Sequence, residues 1–90
     1  DPLGMMLLSV SGYANLVRVL VALAGEFCEG HLVMALEGGY NLEALALSVA
    51  ATFSMLLGDG RVHDPLGPAK QSERPIDHVL SAVKQVHGLA

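Results

Sequence analysis

The segment that most limits how this chain can fold is His31-Leu32-Val33-Met34-Ala35-Leu36, a continuous apolar run that passes straight into Glu37-Gly38-Gly39-Tyr40-Asn41. A short apolar run without alternation, entered from Glu29-Gly30 and left through two glycines, has the pattern of a strand buried on both faces of a parallel sheet. Helices must then cover both faces, and neighbouring strands must take up the backbone N–H and C=O groups. The rest of the chain offers no second such strand, so the neighbours are expected from residues outside these 90.

The flanking sequence supplies the helices. Ser9 is placed to cap a first helix whose apolar positions Tyr13, Leu16, Val17, Leu20 and Ala24 keep the i, i+3, i+4, i+7 spacing, with Gly25 as its stop. Asn41 is placed to cap a second, with Leu42, Leu45, Ala46, Val49, Phe53, Leu56 and Leu57 forming a wide stripe and Gly58 closing it. That stripe reads as nearly all core. Residues 59–75 hold three prolines among glycines and charges and read as a linker. Ile76, Val79, Leu80, Val83 and Val86 mark a last amphipathic helix within 76–90. Helix, buried strand, helix, linker, helix is the order of a doubly wound α/β sheet from which the other strands are missing.

Composition agrees that the chain belongs to something larger. Its hydrophobic share is 52% before glycine is counted, against about 45–50% with glycine included in an average globular chain. Ninety residues bury too small a fraction of their surface to hide so many apolar side chains alone. The start at Asp1-Pro2-Leu3-Gly4 reads as mid-loop. No window reaches the roughly 20 uninterrupted apolar residues of a membrane span, the best being Leu42 to Leu57, and no signal-peptide layout occurs. Cys28 has no internal partner for a disulfide. The expected setting is cytoplasmic, with no membrane contact. Net charge is −4 with Arg18, Arg61, Lys70, Arg74 and Lys84 scattered, which argues against direct nucleic-acid binding.

In open α/β sheets the ligand crevice lies beyond the carboxyl ends of the strands, and Glu37 to Tyr40 leaves such an end. Tyr40 is therefore expected to face a crevice. Gly38 and Gly39 permit positive φ and close approach, and the helix start after Asn41 adds positive potential. Spacing alone favours a plain strand-to-helix turn with a packed tyrosine. An anion cradle at the helix start is the weak chemical alternative, since neither G-x-G-x-x-G nor a P-loop lysine is present.

Four stretches, in order, resemble the C-terminal part of zinc-dependent histone deacetylases: "DPLG", "LSVSGYANLVRVLVALA", "LVMALEGGYNLEALALSVAATFSMLLGD" and "IDHVLSAVKQVHGLA". The most specific piece is Glu-Gly-Gly-Tyr-Asn-Leu, and the acidic residue before the glycines is similar to the class II and bacterial branch. Residues 60–74 carry no such signal. The resemblance implies an α/β class: the C-terminal piece of a three-layer, parallel-sheet arginase/deacetylase-like fold, not independently stable. It divides the chain into a core at 1–58 with the tyrosine turn, the linker at 59–75 and the terminal helix at 76–90.

What the resemblance implies for chemistry is hydrolysis of acetyl amides on lysine side chains or polyamines. Tyr40 matches the family's catalytic tyrosine, Gly38 and Gly39 match the glycines lining the acetyl-lysine tunnel, and Leu3 matches an apolar residue of the pocket wall. A phenol keeps its proton at neutral pH and can donate to the oxyanion of a tetrahedral intermediate. Such donors are worth roughly 2.7–4 kcal/mol in the transition state. The implied cofactor is zinc, but the family's zinc ligands and paired acid/base histidines fall upstream of this chain. Asp1 is not one of those ligands. His31, His63, His78 and His87 show no ligand spacing. The implied partners are the acetylated substrate and the rest of the deacetylase domain. A non-catalytic deacetylase-like scaffold or interaction module is the alternative, and in it Tyr40 only packs.

Overall fold

A computed structural model describes residues 1–89, and contains three helices: α1 (Val10–Phe27), α2 (Leu42–Leu56) and α3 (Asp77–Val86). Ala90, the end of the expected terminal segment, lies outside the described residues.

Each helix start follows its local sequence. The Ser9 side chain accepts the Gly12 N–H at 3.0 Å and opens α1, satisfying one of the amides that a helix start leaves without a partner. Asn41 Oδ1 does the same for the Ala44 N–H at 3.0 Å and opens α2. Ile76 precedes α3 with no side-chain cap. The ends are less obedient. α1 runs through Gly25, the expected stop, to Phe27, where the N–H groups of Cys28 and Gly30 both fold back on the Ala24 carbonyl at 2.8 Å. Glu29 at φ +53° and Gly30 at φ +81° make that reversal, so a single interior glycine did not outweigh a better terminator a few residues on. α2 ends where expected, with Gly58 at φ +77°.

The expected three-layer parallel sheet is not formed. Among the described residues there is no strand, and residues 31–40 carry no regular secondary structure. The reason is edge pairing: an apolar run becomes a strand only when a neighbour takes its ladder bonds. Here the His31 N–H returns to Cys28 O and the Tyr40 N–H goes to a side chain, and Val33 and Leu36 are left 93% and 70% exposed. The architecture of these residues is helical.

The core is one seam between α1 and α2. Val10, Ala14 and Val17 of α1 meet Ala51 and Met55 of α2, with Tyr13, Val21, Leu47 and Val62 around them. Of the stripe expected on α2 only Leu45 is half-buried; Leu42, Ala46, Val49, Phe53, Leu56 and Leu57 stay exposed, and the helix turns Leu47, Ala51 and Met55 inward instead. Both helices are apolar nearly all round, so periodicity could not choose the face. By length and composition α1 is apolar enough to cross a membrane, yet one of its faces makes the seam with α2. α3 touches neither other helix and buries no residue.

The linker is not idle. The Asp64 carboxylate accepts both the Ser11 hydroxyl at 2.7 Å and the Ser11 N–H at 3.1 Å, and also the Gly67 N–H at 3.0 Å. This clip fastens residues 62–67 over the first turn of α1 and brings Val62 onto the core.

Candidate functional site

The turn from Gly38 to Asn41 is fixed from three directions. Asn41 caps α2 from below. Gly39 sits at φ +117°, a backbone conformation that side chains disfavour, and a Cβ there would stand 2.6 Å from Leu45 Cδ1. The positive φ demands glycine; the Leu45 methyl could give way to a Cβ by a change of rotamer. Gly38 differs: a Cβ would meet the Tyr40 ring at 3.5 Å, an ordinary contact, so the space around it does not demand glycine.

The third tie comes from the other end of the sequence. Asp1 Oδ2 accepts the Tyr40 N–H at 2.9 Å, while Asp1 Oδ1 accepts the N–H groups of Leu3 and Gly4 at 2.8 and 2.7 Å. One carboxylate therefore joins the turn bearing Leu3 to the turn bearing Tyr40. Capture of amides two and three residues on is ordinary aspartate turn chemistry, and Asp-Pro-Leu-Gly signals it. Nothing in the sequence signals the reach to Tyr40.

A cleft of about 360 Å³ opens beside this turn, between Met6, Leu8 and Tyr13 on one side and Leu45 and Val49 on the other, with Gly38 and Gly39 in its wall. Of the four candidate residues, these two glycines line it. Tyr40 is 55% exposed and does not line it; its ring lies back over Gly38. Leu3 is exposed on its own turn and also stands outside the cleft.

Two of the amides that an anion cradle would draw on are already taken. The Tyr40 N–H already holds a carboxylate and the Ala44 N–H holds the Asn41 cap. A metal does not fit these residues either: among the described residues no three of His, Cys, Asp and Glu come close enough to hold an ion. His31 turns its Nδ1 to the Cys28 carbonyl at 2.9 Å, in the manner of a helix-end contact.

Comparison with known proteins gives this turn its context. The histone deacetylase domain matches residues 1–56, from the Asp1 turn to the last residue of α2. "Histone deacetylase 14, chloroplastic" of Arabidopsis thaliana is 36% identical over 90 residues, covering 99% of this chain and 21% of that protein. The human "Polyamine deacetylase HDAC10" is 40% identical over 83 residues, or 91% of this chain and 12% of that protein. "Histone deacetylase clr3" of Schizosaccharomyces pombe is 34% identical over 87 residues, 94% of this chain and 12% of that protein. No solved structure matches. The chain belongs to the histone deacetylase family. It spans between about an eighth and a fifth of the length of these relatives.

Proposed function

We propose that this chain is the C-terminal portion of a single deacetylase domain, in a protein that hydrolyses acetyl-lysine or acetylpolyamine amides and depends on zinc. Tyr40 is the residue that this portion contributes to the chemistry. The observation that carries the proposal is the placement of an exposed tyrosine, directly after two cleft-lining glycines, inside the stretch that matches the deacetylase domain.

Hydrolysis turns the planar amide into a tetrahedral intermediate, and negative charge collects on the former carbonyl oxygen. The Tyr40 hydroxyl donates a hydrogen bond to that oxygen, more strongly as the charge grows. Phenylalanine would fill the same space without the donor. Gly38 and Gly39 leave room in the cleft wall for a narrow aliphatic stem, and Leu3, which stands outside that cleft, is the apolar residue proposed to flank the stem from the neighbouring turn. The zinc ligands belong to residues outside this chain, so the isolated 90 residues are expected to hold no catalytic metal and to release no acetate.

Acetate release from an acetyl-lysine peptide by the full-length protein tests the proposal. Tyr40→Phe is expected to lower turnover by about 100-fold or more. A second reading, a deacetylase-like scaffold in which Tyr40 merely packs, draws on the ring lying over Gly38 and outside the cleft. It requires wild-type turnover from Tyr40→Phe, or no turnover from the wild type.

A further inference from the structure

A catalytic donor is useful only if its backbone holds still, and the backbone before Tyr40 is the least restrained kind. Gly39 at φ +117° has no Cβ to limit rotation, and Gly38 precedes it. The peptide N–H of Tyr40 would swing freely with that glycine pair unless something held it. What holds it is Asp1 Oδ2 at 2.9 Å, across 39 positions of sequence. Asp1 is itself fixed, because Oδ1 takes the Leu3 and Gly4 N–H groups at 2.8 and 2.7 Å. A carboxylate accepting backbone N–H groups makes charge-assisted bonds, shorter and stronger than neutral ones.

We infer that Asp1 is a positioning residue: its carboxylate clamps the Tyr40 amide to the Leu3 turn and so sets where the Tyr40 hydroxyl stands relative to substrate. The inference rests on Tyr40 acting as the proposed donor. It assigns Asp1 no contact with substrate or metal. It also makes the Leu3 wall and the Tyr40 donor one rigid unit, so that loosening one displaces the other.

The test uses the full-length protein with Asp1→Ala and Asp1→Asn, each in the wild-type and Tyr40→Phe backgrounds. Asparagine keeps a carbonyl oxygen for the Leu3 and Gly4 amides but offers an NH2 group to the Tyr40 N–H, so it severs the tie while sparing the turn. That variant keeps the question answerable if alanine impairs folding. Both substitutions are expected to lower kcat by about 10- to 100-fold, the scale of an ångström-sized misplacement, with KM changed far less. In the Tyr40→Phe background they should have little further effect, since the group being positioned is gone. Amide hydrogen exchange at Tyr40 should speed up in Asp1→Asn. Wild-type kcat in Asp1→Asn, unchanged exchange at Tyr40, or the same fold-loss in both backgrounds would overturn the inference. Wild-type turnover in Tyr40→Phe instead sinks the catalytic role of Tyr40 itself, and exchange then decides whether Asp1 holds the turn at all.

Discussion

Gly38 and Gly39 stand side by side, yet only one is dictated by the backbone. Gly39 combines a positive φ with a close approach to Leu45, whereas Gly38 has ordinary space around it. Gly39→Ala is therefore expected to destabilise the full-length protein by about 1–3 kcal/mol, and Gly38→Ala by no more than about 0.5 kcal/mol. Urea unfolding midpoints of the two variants decide it; equal midpoints would contradict the assignment. If Gly38→Ala also lowers turnover while its midpoint holds, its role lies in the cleft. The residues of this turn were legible because glycine pairs, a capping asparagine and a tyrosine leave marks in sequence. Asp1 left only half a mark. Its local amide contacts follow from Asp-Pro-Leu-Gly, but a hydrogen bond to a residue 39 positions away has no sequence period to announce it.

Among the elements, caps were readable and packing faces were not. Ser9 and Asn41 open their helices as their side-chain chemistry requires. The buried face of α2 escaped because Leu, Ala, Val and Met surround it, and an apolar stripe more than half a turn wide does not point anywhere. Asp64 is the element-scale device that spacing could not reveal. The Ser11 hydroxyl, ahead of the backbone amides of Ser11 and Gly67, holds its carboxyl below the usual carboxylate range, against a smaller upward push from desolvation. A carboxyl whose folded pKa is depressed stabilises the fold above its unfolded pKa of about 3.9 and loses that contribution as pH falls through the lower folded value. Asp64→Asn should thus be less stable than wild type at neutral pH, with the gap closing in acid. Thermal melts of the full-length protein and its Asp64→Asn variant across that range check the sign; a gap that widens in acid would refute it.

Across the whole molecule, exposure is the dominant fact. A compact chain of 9.4 kDa presents about 5,000 Å² of accessible surface, and this one presents 7453 Å². Its radius of gyration is 15.1 Å, against about 12 Å for a compact chain of this length. The six hydrophobic residues buried among the described residues cannot offset the conformational entropy of ninety. The 90 residues alone are accordingly expected to show no cooperative thermal unfolding; a sharp transition would contradict this. The excess of apolar composition foretold that exposure correctly, while the inferred sheet failed because one apolar run has nothing beside it to pair with.

The Asp64 clip has one more consequence. It fastens the chain back to α1 before residues 68–75 begin, and α3 beyond them rests on neither helix. Movement arising after Gly67 is therefore expected to stop at the clip, short of the Tyr40 turn. An insertion or deletion within residues 68–75 is accordingly expected to leave the Tyr40 turn where it stands.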